Sequence, residues 1–323
     1  MFRALFFCVL GAIGLAGLVP LEAGALIYNP YRLSRRDRLG VELWLAKEDP
    51  RRVLTGHASR VHLVRDGFGM PEKTPYSVLI ISGLFNSPES MSGLVEHFAG
   101  QRMNVVNMRL AGHYETDASA LSHAIEWEQW KKQTDEALDL AQRLGDKVIL
   151  VGHSTGALLL TWAAFERPES VAGLALFSPA FMITPGSLFS AMISKTFGLN
   201  PTVEGRLIAG HAGLEVQKMA AHFRSLLQGT DRSLVPDSPD FAPLAERLQH
   251  VPVWVANTAL DVVIDVRAAD RFVQALSVDG AAPRFHYSLP ACELVLHDRI
   301  VSPRNSSFVP MLKSMSSFLP SAR

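Results

Sequence analysis

A strand-like run, Lys147-Val148-Ile149-Leu150-Val151, leads straight into Gly152-His153-Ser154-Thr155-Gly156, and the next segment, Ala157 to Phe165, is a good helix former. A G-x-S-x-G pattern between a strand and a helix is the setting of an exposed, activated serine. A serine hydroxyl is a weak nucleophile until a base stands beside it. A sharp strand-to-helix turn lifts the hydroxyl above the sheet edge, and small residues at 152 and 156 let the backbone fold that tightly. The helix N-terminus beneath favours developing negative charge. The chemistry such a serine performs is covalent nucleophilic catalysis, and Ser154 is the candidate nucleophile.

The elements around this turn must hold it and bring it a partner. Apolar runs rich in β-branched residues recur at Val78-Leu79-Ile80-Ile81, Val105-Val106, Val148 to Val151, Leu174-Ala175-Leu176-Phe177 and Val253-Trp254-Val255. Near-continuous apolar runs of this length mark strands buried on both faces, as in a parallel sheet. Between them, Glu126 to Leu144 places Trp127, Trp130, Ala137, Leu138, Ala141 and Leu144 on one helical stripe, with Gly145 read as its C-terminal cap. The two tryptophans either line a site or pack this helix on the sheet. Strand alternating with helix gives an α/β fold with right-handed crossovers. The alternation stops between Ala180 and His250, a stretch that reads mostly helical and is expected to be an inserted cap.

The residues resemble the α/β-hydrolase family, in particular the branch of carboxylesterases and monoacylglycerol lipases (serine aminopeptidase S33-like). The resemblance runs from about Ser77 to the C-terminus. Ile81-Ser82-Gly83-Leu84-Phe85-Asn86-Ser87-Pro88-Glu89-Ser90-Met91 is similar to that branch's oxyanion-loop segment, H-G-F-x-x-x-P-x-x-M. Arg109-Leu110-Ala111-Gly112-His113 resembles its R-x-x-G-H stretch, and Leu121 to Trp130 its L…W…W segment. The resemblance implies that Ser154 attacks an ester carbonyl while the backbone N–H of Thr155 and that of Leu84, with Phe85 the alternative, hold the oxyanion. Two departures stand out, Ser82 for the usual His and Tyr114 for the usual Gly, and both read as local repacking.

The family's triad runs in the order serine, acid, histidine. Asp261, in Thr258-Ala259-Leu260-Asp261-Val262-Val263, is the implied acid, with Asp265 the runner-up. The base is open between two readings. A strand over Arg284 to Leu289 is followed by Cys292-Glu293-Leu294, where relatives often carry H-E-L, so the base is either lost at Cys292 or supplied by His297. His297 has Pro303 six residues on, a spacing the family shows, with Ser302 and Pro303 then capping and beginning the last helix. His286 ranks third, and His113 and His153 read as structural.

Composition narrows the rest. Lys plus Arg and Asp plus Glu both number 31 among 323 residues, and the apolar share is 48%. A neutral chain has no electrostatic footprint for nucleic acid. The chain carries no metal-site or P-loop pattern, and no cofactor or metal is implied. Two cysteines, Cys8 and Cys292, make no disulfide framework. Ala4 to Leu21 is an uncharged run of about 18 residues, expected to act as a signal peptide or N-terminal membrane anchor. Ala23-Gly24-Ala25 favours export, whereas Arg32, Arg35, Arg36 and Arg38 favour holding that flank in the cytoplasm. The organisation expected is therefore a leader or anchor over 1–25, an N-terminal extension with the first strands over 26–76, a hydrolase core over 77–180 and 251–323, and a cap over 181–250. Apolar clusters in the cap, Phe181-Met182-Ile183 and Leu188-Phe189-Ser190-Ala191-Met192-Ile193, suit either an acyl chain or packing onto the core. The function expected is a serine hydrolase of small-molecule or lipid esters, membrane-associated or exported. The alternatives are an amidase, peptidase or acyltransferase on the same triad, or a binding protein that kept the fold without its base.

Overall fold

The computed structural model describes residues 29–117, 120–196, 202–203, 206–207, 210–228, 241–277 and 280–321. The apolar N-terminal run lies outside them, and among the described residues no helix is long and apolar enough to cross a membrane. After helix α1 (Arg35–Leu45), the chain forms β1 (Arg60–His62), β2 (Thr74–Ile81), α2 (Ser92–Gly100), β3 (Asn104–Met108), α3 (Trp127–Leu144), β4 (Gly145–His153), α4 (Thr155–Glu166) and β5 (Val171–Phe177). Then come α5 (Pro185–Thr196), a hairpin of β6 (Thr202–Val203) and β7 (Arg206–Leu207), α6 (Gly210–Gln228), α7 (Ala242–Arg247), β8 (Val253–Thr258), α8 (Val266–Leu276), β9 (Arg284–Leu289) and α9 (Phe308–Phe318).

Seven strands form one sheet in the order β1-β3-β2-β4-β5-β8-β9. Only β1 against β3 is antiparallel; the other neighbours run parallel. The apolar runs alternate faces with the two-residue period of a strand. Val78, Ile80, Val105, Ile149, Val151, Phe177 and Trp254 pack under α2 and α9. Leu79, Ile81, Val106, Leu150, Leu174, Leu176 and Val255 face α3, α4 and α8. Burying each such side chain contributes roughly 1.5–3 kcal/mol. Because β2, β4 and β5 run parallel, their carboxyl ends share one edge, where open α/β sheets place their sites.

Of two local expectations, one holds and one is corrected. Gly145 caps α3, its N–H donating to the Ala141 carbonyl, while its own backbone is extended, at φ −141°, and already belongs to β4. A Cβ there would stand 2.3 Å from the Ser77 nitrogen, so glycine is needed for the close approach of two strands. The last helix does not begin at Pro303. Turns fill the interval to Phe308, with the Asn305 side chain accepting from the Ser307 N–H at 2.9 Å, and the Pro303 ring lies against Gly93 instead.

The connection from β5 to β8 carries the helical cap. Its helix α6 buries Val216, Met219, Ala220, Phe223 and Leu227. His222 packs at a tilt against Trp127 and Trp162 with ring centroids 5.0 and 5.5 Å away. Trp127 thus fastens the cap, and fully buried Trp130 packs α3 on the sheet and donates its indole N–H to the Ala111 carbonyl at 3.0 Å. Neither tryptophan lines the cavity described below.

Candidate active site

Ser154 sits between β4 and α4 at φ 51° and ψ −114°, a conformation that L residues avoid. The surrounding backbone holds it there. Its N–H donates to the Phe177 carbonyl at 2.9 Å, and its carbonyl accepts from Leu158 and Ala180, each at 3.1 Å. The turn is possible because Gly156 presses on β2: a Cβ at 156 would lie 2.2 Å from the Ile81 carbonyl oxygen.

His297 Nε2 lies 2.8 Å from Ser154 Oγ, and His297 Nδ1 lies 2.6 Å from Asp261 Oδ2. The other oxygen of Asp261 accepts the N–H groups of Val263 and Ile264 at 3.0 and 3.1 Å. The Asp261 side chain is wholly shielded from solvent. Burial alone would push its carboxyl up, but the His297 hydrogen bond and the two N–H donors outweigh it and hold Asp261 below the usual carboxylate range. These three groups follow β4, β8 and β9, so the carboxyl edge of the sheet assembles them. Asp265 is elsewhere, accepting from the Arg267 N–H at 3.0 Å as the N-cap of α8 and pairing with the Arg267 guanidinium at 2.8 Å. His286 turns to Asn257 and to Asp270, 2.9 Å away. Cys292 is exposed on a short turn and takes no part in the contacts that join Ser154, His297 and Asp261.

His153 is fully buried next to the nucleophile. Its Nε2–H donates to the His297 backbone carbonyl at 2.9 Å, and its Nδ1 accepts from Asn86 at 3.4 Å. Burial, aided by the charge of nearby His297, pushes its imidazole down to about 3; burial pushes His113 down to about 4. Both stay neutral in the fold while an unfolded histidine takes a proton near pH 6.5. The unfolded chain then binds more protons, so stability should fall as pH drops from about 6.5 toward 4, by up to ~1.4 kcal/mol per pH unit for each such histidine. Urea midpoints measured at pH 7.5, 6 and 5 should decrease steadily, and a flat series would contradict the two neutral imidazoles.

Beside Ser154 opens a cavity of about 480 Å³. Leu84, Phe85, Ile183, Val216, Val263 and Leu296 give it apolar walls, and Ser187, Ser190 and Arg299 add polar points. Of the apolar cap clusters, Ile183 and Ala191 face the cavity, whereas Phe181 packs into the core against Phe241 and Phe272. The side chains of Leu188, Phe189 and Ile193 lie outside the described residues. Leu84 and Thr155 both border the cavity beside Ser154.

The two departures from the family motif differ. Ser82 is buried, and its hydroxyl bonds nothing among the described residues. Tyr114 is more than repacking: its hydroxyl donates to the Phe85 carbonyl at 2.9 Å, on the loop that lines the cavity. Arg109, of the R-x-x-G-H stretch, is buried and donates to the His113 carbonyl at 2.7 Å while pairing with Glu48 and Glu115, both at 3.4 Å. Tyr114 and Asn86 were not singled out in the sequence as site residues. The only signal in the sequence is that Tyr114 stands where the family motif has glycine after His113.

Residues 72–222 match the family described as serine aminopeptidase, S33. A pyrethroid hydrolase from Sphingobium wenxiniae is 28% identical over 113 residues, a match that spans 35% of this chain and 39% of that relative's length. Among solved structures, a metagenome-derived lipolytic enzyme is similar with a TM-score of 0.60 at 18% identity, covering 82% of this chain and 98% of that one. The monoacylglycerol lipase of Paleococcus ferrophilus gives 0.54 at 17% identity over 81% and 98% of the two chains. The monoglyceride lipase of Saccharomyces cerevisiae gives 0.59 at 12% identity over 80% and 89%. At these identities the structural likeness is one of fold. The protein has the α/β-hydrolase fold. Within it, the chain resembles the carboxylesterase and monoacylglycerol lipase branch.

Proposed function

We propose that the protein hydrolyses carboxylic esters, lipophilic or acylglycerol-type, through an acyl-enzyme on Ser154. The observation that carries this is the chain of contacts from Ser154 Oγ to His297 at 2.8 Å and on to Asp261 at 2.6 Å, open to an apolar cavity. In this reading His297 Nε2 takes the serine proton as Oγ attacks the ester carbonyl carbon. The oxyanion is held by the backbone N–H groups of Leu84 and Thr155, each worth about 3 kcal/mol in such sites. His297 then passes the proton to the leaving alkoxide, and the alcohol departs. Water, deprotonated by the same nitrogen, attacks the acyl group, and the acid product leaves as Ser154 recovers its proton. Asp261 holds the ring in the tautomer that presents a bare Nε2 and stabilises the imidazolium that forms. The walls formed by Ile183, Val216 and Val263 suit a fatty acyl chain.

The test is labelling with a fluorophosphonate, which reacts only with an activated serine. The expected result is one adduct, located on Ser154 by peptide mass and absent from Ser154→Ala. An unlabelled native protein would overturn the reading and leave a binding protein on a hydrolase fold. In parallel, p-nitrophenyl esters should be cleaved far faster than the matched p-nitroanilides. Equal rates would move the reaction to amide cleavage.

A further inference from the structure

We infer that Tyr114, backed by His57, is a positioning residue that sets the geometry of the oxyanion loop; this rests on the ester-hydrolase reading. The loop leaves β2 at Ser82 and turns sharply, with the Asn86 N–H donating to the Gly83 carbonyl at 3.1 Å. Inside this turn Phe85 has φ 62°. A left-handed residue at the third position of a turn is normally glycine, because a Cβ is strained there by about 1–3 kcal/mol. The strain persists only where neighbours hold it. Here the Phe85 carbonyl is held by the Tyr114 hydroxyl at 2.9 Å. Fixing that carbonyl fixes the peptide plane that follows Phe85 and, through the closed turn, the Leu84 N–H.

Tyr114 is itself anchored. Its carbonyl accepts from the Leu54 N–H at 2.8 Å, Val53 bridges Glu115, and the Thr116 N–H donates to the Arg52 carbonyl at 2.8 Å. The His57 ring stacks on the Tyr114 ring, with centroids 4.2 Å apart and planes 17° from parallel. His57 Nδ1 lies 2.8 Å from Ser87 Oγ. Two points of the loop, Phe85 and Ser87, are thus gripped by one stacked pair. Half of that pair comes from residues 52–57, upstream of the segment that matches the family. Where the family motif carries glycine at position 114 there is no ring to stack and no hydroxyl to donate, so the brace belongs to this chain.

The experiment compares Tyr114→Phe with the native enzyme on a p-nitrophenyl ester and on an aryl trifluoromethyl ketone. The ketone adds Ser154 Oγ at its carbonyl carbon, with the serine proton passing to His297, and leaves an oxyanion in the loop. Phe keeps the stack and removes only the donor. The expected result is a fall in kcat of about tenfold, the scale of one neutral hydrogen bond. Ketone affinity should fall in parallel, with KM within about twofold and the melting midpoint lowered by no more than a few degrees. Ser87→Ala, which frees His57 without touching Tyr114, should show the same pattern more weakly. Unchanged kcat and ketone affinity, or a rise in KM alone, overturns the brace. Amide hydrogen exchange of the peptide holding Leu84 to Ser87 provides a readout without turnover: it should quicken in Tyr114→Phe, and unchanged exchange also overturns the brace. A native protein inert to ester and fluorophosphonate would instead sink the hydrolase reading, and exchange alone would then decide the brace.

Discussion

Replacing Ser154 by alanine is expected to lower kcat on p-nitrophenyl butyrate by on the order of 10⁴–10⁶-fold, with folding unchanged. His297→Ala should match it, because the two groups act as a unit: without the base the hydroxyl keeps its proton, and without the hydroxyl the base has nothing to activate. The double variant should therefore be no slower than either single one. Asp261→Asn keeps the shape of the site but presents the wrong tautomer of His297 to the serine, at a cost of ~10⁴-fold. Asp265→Asn should leave kcat within about twofold and stability nearly unchanged, since asparagine caps a helix as well as aspartate does and Asp265 faces the exposed Arg267. The measurements are initial rates together with thermal midpoints. Turnover retained in Ser154→Ala would remove this serine from the mechanism, and a fast His297→Ala would do the same for the base.

The second large effect is expected at a residue with no chemistry of its own. Gly156→Ala adds one methyl group, which would meet backbone atoms of Ile81 and Ser82 at 2.2 and 2.7 Å. Real contacts of this kind are not tolerated, and a backbone atom has no rotamer by which to move away. Either α4 lifts off β2 or the elbow reshapes. Overpacking of this kind costs about 1–3 kcal/mol, and a shift of Ser154 by about 1 Å costs about 10²-fold in rate. The expected outcome is a lower melting midpoint together with at least that loss of kcat. Gly100→Ala, where a Cβ meets nothing within 4 Å, is the control and should change neither. A native-like Gly156→Ala enzyme would show that the elbow has room the structure does not display.

The fold was legible because strands buried on both faces leave a long apolar run, and each of the runs at 78–81, 105–106, 148–151, 174–177 and 253–255 lies in a strand of the one sheet. Ser154 was legible for a local reason: a strand, a tight turn and a helix within twenty residues. Asp261 and His297 were less so, because they meet the serine only in space, from the ends of β8 and β9. The stretch after β9 holds two short 3₁₀ turns around a left-handed Leu294, which no periodicity foretells. That is why Cys292 and His297 stayed open in the sequence while the structure brings His297, and not Cys292, to Ser154. Ser302-Pro303 carried a helix-start signal, but turns fill the interval to Phe308 and the Pro303 ring lies against Gly93. The Tyr114 contact was illegible for a different reason: a hydroxyl reaching a carbonyl 29 residues away leaves no pattern in either segment.

The ring cluster that fastens α6 has an optical consequence. Trp127 and Trp162 are two of the five tryptophans in the chain, and both lie against His222 of the cap helix. Indole emission responds strongly to water contact and to a neighbouring imidazole. If α6 lifts from α3 and α4 when a substrate enters, both indoles lose that neighbour at once and gain solvent. The cap's seating is therefore readable as an unlabelled fluorescence change on the timescale of a single mixing experiment, in a helix that sits directly over the cavity wall at Gly213 and Val216.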